Sequence, residues 1–72
     1  MMWYVGTEDN KKGYYILHYY GKKQKIAESI YAALVSAAHK TGLTVTNIKL
    51  GQTSEELENP TNADFMRWLG YV

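Results

Sequence analysis

At Gly21 the hydrophobic pattern changes period, and that change constrains the fold more than any other feature of the chain. Before it, Tyr14 to Tyr20 is dense in aromatic and β-branched side chains, the make-up of a strand. After it, Ile26, Ile30, Ala33, Leu34 and Ala37 recur at helical spacing. That spacing predicts a helix from Lys23 to Thr41 with one apolar stripe, and with Lys25, Ser29, Ser36, His39 and Lys40 on the opposite side. Gly42 stands where a C-terminal cap glycine belongs.

Upstream, Met2 to Thr7 predicts a first strand, and the polar run Glu8 to Gly13 a turn in which Asn10 and Gly13 can take positive φ. The two strands make a β-hairpin. Beyond Gly42, Thr44 to Leu50 predicts a third strand with Thr46, Ile48 and Leu50 on one side. Ser54 to Glu58 predicts one helical turn ended before Pro60. A last helix is predicted over Asn62 to Leu69, opened by a Thr61–Asp64 capping box and closed by Gly70. The fold class is therefore α+β: a small ββαβα domain over 1–72, with a three-stranded sheet, one long helix packed on one face and a short C-terminal helix. A strand–helix–strand crossover makes the third strand parallel to the second.

A chain of 72 residues with no Cys has no disulfide framework and no thiol nucleophile, which fits a cytoplasmic setting. It has no apolar run near a membrane span and no signal-peptide pattern, so no membrane partner is expected. A core of this size supplies only about 3–5 kcal/mol, and oligomerisation is the common remedy. A homo-oligomer, in its simplest form a homodimer, is the expectation.

Catalysis needs a nucleophile, a base in reach and a group orienting that base. His18 lies mid-strand and His39 near a helix end, with no Ser, Asp or Glu at a telling spacing. No His-x-His or His-x3-His pair exists for a metal. The expectation is a non-enzymatic chain with no cofactor and no metal.

The formal net charge of +1 divides unevenly, the first half carrying five Lys against Glu8, Asp9 and Glu28. Gly21-Lys22-Lys23 joins a strand to a helix, but Ile16 stands where a phosphate-binding P-loop needs glycine, and Lys23 where it needs Ser or Thr. Lys22, Lys23 and Lys25 crowd the positive end of that helix, and with Lys12 they form a candidate anion-binding cluster.

Strict alternation puts Tyr14, Ile16, His18 and Tyr20 on one face of the hairpin, and Tyr15, Leu17 and Tyr19 on the other. Lys12-Gly13-Tyr14-Tyr15-Ile16-Leu17-His18-Tyr19 resembles the RNP1 signature of RNA-recognition-motif domains, and Trp3-Tyr4-Val5-Gly6 resembles its RNP2 partner. Lys12, Gly13, Tyr14 and Tyr19 match; Tyr15 and Ile16 depart from the pattern, and that family runs βαββαβ instead. The resemblance implies base stacking on Tyr4 and Tyr14, extended by His18 and Tyr20.

Two functions follow as expectations. The first is protein–protein contact through an aromatic sheet face or the fringe of the long helix, with Tyr4, Tyr14, His18, Tyr20, Tyr31 and Val35 as contact residues. Tyr31, Val35 and Ala38 widen the helix's apolar stripe beyond what one small sheet covers. Such a chain fits a regulator or inhibitor of a host system carried by a phage or mobile element. The alternative is single-stranded nucleic-acid or nucleotide binding by stacked tyrosines and the lysines that open the long helix.

Overall fold

The computed structural model describes residues 1–42 and 44–71. They form β1 (Met2–Asp9), β2 (Tyr14–Gly21), α1 (Gln24–Thr41), a 3-10 turn (Val45–Asn47), β3 (Ile48–Thr53) and α2 (Asn62–Trp68). The sheet has three strands in the order β2-β1-β3, with β1 antiparallel to both neighbours. β2 and β3 therefore point the same way, as the crossover requires, with β1 between them. The ββαβα order and α+β class expected from the sequence are those of the structure.

Local chemistry accounts for most of the boundaries. In the hairpin, Gly13 takes φ 75°, and its N–H donates to the Asp9 carbonyl at 2.7 Å. Asp9 also accepts the Lys12 N–H at Oδ1, 3.0 Å away. Asn10 does not take positive φ, since among the described residues only glycines do. Its side chain instead accepts the Tyr15 hydroxyl at 3.0 Å. Gly42 ends α1 at φ 80°, donating to Ala38. Thr61 and Asp64 make the expected capping box: the Thr61 N–H donates to Asp64 Oδ2 at 2.8 Å, and the Asp64 N–H to Thr61 Oγ1 at 3.3 Å. At the other end of α2, Gly70 donates to the Arg67 carbonyl and Tyr71 to that of Met66, a Schellman closure.

The third strand begins and ends later than the sequence predicts. Thr44 to Asn47 turns rather than extends, because the Thr44 N–H donates to Asn47 Oδ1 at 3.1 Å. Asn47 Nδ2 then donates to the Glu8 carbonyl at 2.7 Å, tying the turn to β1. β3 runs through Gly51 instead of stopping before it. A Cβ there would lie 2.7 Å from Tyr4 Cζ, so this glycine marks close approach within the sheet. Ser54 to Glu58 is not a helical turn. Its backbone is bound elsewhere: Glu55 accepts the Tyr20 hydroxyl at 2.5 Å, and the Leu57 N–H donates to that hydroxyl at 2.8 Å.

The largest departure lies inside β2. Val5 pairs with Tyr19 but Gly6 with Leu17, leaving His18 as the extra residue of a β-bulge. One inserted residue exchanges the faces of everything beyond it. Tyr20 therefore joins Tyr15 and Leu17 under α2, and Tyr19 joins Tyr14, Ile16 and His18 on the α1 side. Under α2, Phe65 has no exposure and meets the Tyr4 ring edge-on, with centroids 5.8 Å apart. Trp68 stacks on Tyr20 at 5.4 Å. Under α1 the core is Val5, Ala27, Ala38 and Ile48.

α1 is also rotated from the expected stripe. Fully buried Ala27 and nearly buried Ala38 mark its sheet-facing line. Ile26, Ile30, Ala33 and Ala37 lie roughly 60–130° round the helix from that line at about 100° per residue. Ile26 stays 42% exposed, and Ala33 is exposed as well. Ala38, expected to widen an outer surface, is core.

Candidate functional site

Rotation of α1 leaves an open apolar recess between its C-terminal half and the sheet. Leu34, Ala37 and Thr41 of α1 line it, with Tyr14, Ile16 and His18 of β2, Thr7 of β1 and Ile48 of β3. Its volume is about 200 Å³. Tyr14 and Ile16 remain 38% and 42% exposed at its margin. The recess exists because Ala37 is too short to fill the gap that a longer side chain would close.

Thr7, His18, Thr41 and the Tyr14 hydroxyl are the polar groups of the wall. Thr7 Oγ1 and His18 Nε2 are hydrogen-bonded at 2.8 Å. Burial pushes the His18 imidazole below its ordinary 6.5, which favours its neutral form. A hydroxyl beside an imidazole is the start of a nucleophilic pair, yet no carboxylate among the described residues is hydrogen-bonded to His18. What the pair offers is a polar mark in an apolar wall. Among the described residues, no three His, Asp or Glu side chains gather as a metal site.

The expected contact residues do not form one surface. Tyr14 and His18 border the recess. Tyr4, only 7% exposed, lies beneath Phe65 and Trp68, and the same burial pushes its phenol up. Tyr20 is held by Trp68 and by two backbone groups of the segment before α2. Tyr31 and Val35, both half-buried, lie on the flank of α1 turned away from the recess. The bulge and the α2 packing are the physical reasons for this scatter. The continuous aromatic face expected from alternation is absent, and with it the stacking platform that Tyr4, Tyr14 and Tyr20 were to share.

The lysines divide as well. Lys12 sits in the hairpin turn and Lys22, Lys23 and Lys25 at the start of α1, with all of β2 between them. That strand spans roughly 26 Å at about 3.3 Å per residue, so one small anion cannot meet all four. Lys23 is the N-cap of α1 and makes no capping bond through its side chain.

Sequence reasoning missed Thr7, Ile16, Leu34, Ala37, Thr41 and Ile48 as lining residues. The available signal was the apolar stripe through Ile26, Ile30 and Ala37, read as core although Ile26 is exposed and Ile30 and Ala37 are only half-buried.

The α2 side is closed by contrast. Arg67 pairs with Glu55 and, at 2.9 Å, with Asp64. Arg67 holds the Glu55 carboxyl below its usual range, and the Thr61 N–H together with Arg67 does the same for Asp64. Asn62 Oδ1 accepts the Leu17 N–H at 2.9 Å, occupying a main-chain donor of edge strand β2.

Comparison with protein-family models, with curated proteins and with solved structures returns no match for this chain. Among the described residues, no helix is long and apolar enough to cross a membrane.

Proposed function

We propose that this chain is a small non-enzymatic binding protein that engages a protein partner through the side where α1 overhangs β2. One observation carries the reading: the recess beside Tyr14 and Ile16 is open and apolar, and Tyr14 is more exposed than the other aromatic side chains of the hairpin. A concave apolar site with few, well-placed polar groups is the usual form of a binding site. Exposed Ile26 extends the apolar surface along α1. A regulator or inhibitor that acts by contact needs nothing more. A cytoplasmic, self-associated state belongs to the same reading, since a core this small gains from a second copy.

A photoreactive phenylalanine analogue placed at Tyr14, with a second placed at Asn59 on the α2 side, tests it in cells. The expected result is one protein crosslinked through position 14, displaced by excess unlabelled chain but not by an Ile16→Asp chain. Equal capture from both positions, or none from position 14, overturns the reading.

A further inference from the structure

We infer that the recess and the flank of α1 that carries Ile30 and Ile26 receive an acidic segment of the partner, with one large apolar side chain seated beside Ala37. The inference rests on the proposed protein-binding reading and specifies what the partner presents. Charge is the first argument. At the recess end stand Lys12 of the hairpin turn and Lys40 in the last turn of α1. At the other end Lys22, Lys23 and Lys25 surround the start of α1, beside exposed Ile26.

Carboxylates are scarce between these ends. β2 has none, and α1 has only Glu28, which the helical turn directs to the flank carrying Val35. Of the carboxylates at the hairpin, Glu8 is buried and paired with Lys49 at 3.3 Å, and Asp9 accepts the Lys12 N–H. An apolar strip with lysines at both ends complements a segment that is acidic at both ends and apolar between. This also accounts for lysines at the positive end of a helix, where they repel the helix dipole in the absence of a negative neighbour.

Size is the second argument. A recess of about 200 Å³ is the space of one large side chain, a Leu, Met or Phe. Its wall is apolar except for the Tyr14 hydroxyl, for Thr41, whose hydroxyl donates to the Ala37 carbonyl at 3.2 Å, and for Thr7 and His18, which are hydrogen-bonded to each other at 2.8 Å.

The probe is a short acetylated peptide with one Phe flanked on both sides by Asp and Glu. It is titrated into the isotope-labelled full chain while amide shifts are followed. The expected shifts concentrate at Ile16, His18, Leu34 and Ala37. Affinity should fall about tenfold when the peptide's Phe becomes Ala, as for loss of a central anchor. It should fall again at high salt, and a peptide with Lys in place of every acid should bind more weakly still. Ala37→Leu fills the recess, and it should weaken the acidic peptide about tenfold while leaving the unfolding midpoint intact or raised. Equal binding of the lysine peptide, shifts centred on α2, or no binding at about 1 mM, the weak end of recognition, overturns the inference. Crosslinking through position 14 that persists unchanged in the Ala37→Leu chain would keep the partner reading and overturn the anchored acidic segment alone.

Discussion

Phe65→Ala is expected to remove about 3–5 kcal/mol of stability, the usual cost of emptying an aromatic site in a closed core. A core of this size supplies only about 3–5 kcal/mol in all, so the variant would be largely unfolded near body temperature. Phe65 has no exposure, meets the Tyr4 ring edge-on, and stands directly over Gly6. α2 is only seven residues long and would not persist as a helix without that contact. Urea unfolding followed by the fluorescence of Trp3 and Trp68 measures the loss. A midpoint within experimental error of the parent chain would show that α2 is not a structural element of the core.

The complementary change, Gly6→Ala, is expected to cost about 1–3 kcal/mol by overpacking, although it adds a single methyl group. Gly6 has no positive φ, so the objection is space alone. Its new Cβ would lie 2.6 Å from both Phe65 Cε1 and Cε2. The ring cannot withdraw, because Tyr4 and the helix backbone hold it in place. Pairing Gly6→Ala with Phe65→Leu should recover part of the loss, since a smaller side chain makes room for the methyl. The two changes together should therefore cost less than their sum. Additive losses in the same urea experiment would place the strain elsewhere.

Element order was legible in this sequence because periodicity and punctuation agree. Gly13, Gly42 and Gly70 stand where the backbone turns left-handed, and Thr61 with Asp64 opens α2. The face of each aromatic residue was not legible. Alternation assumes an unbroken ladder, and nothing in Leu17-His18-Tyr19 announces that His18 is an extra residue. The bulge is a tertiary outcome: Tyr20 reaches the backbone of Glu55 and Leu57 and the ring of Trp68, all more than thirty positions away. α1 misleads for a related reason. Its most apolar side is not its most buried one, because Ala27 and Ala38 admit the close approach to the sheet while Ile26 is left at the edge. The candidate site lies where those two errors meet, on the strand whose faces were exchanged and the helix whose stripe was displaced.

A single comparison tests most directly whether the two faces of β2 have separate tasks, Tyr20 in the core and Tyr14 at the open side. Tyr14→Ser and Tyr20→Ser, on one strand and assigned by simple alternation to one face, are unfolded in urea side by side. Tyr20→Ser is expected to lose about 2–4 kcal/mol, since it empties the space against Trp68 and removes the hydroxyl bound to Glu55 and Leu57. Tyr14→Ser, at 38% exposure, is expected to lose less than about 1 kcal/mol. Equal losses, or a larger loss from Tyr14→Ser, would contradict the division of the sheet on which the binding site rests.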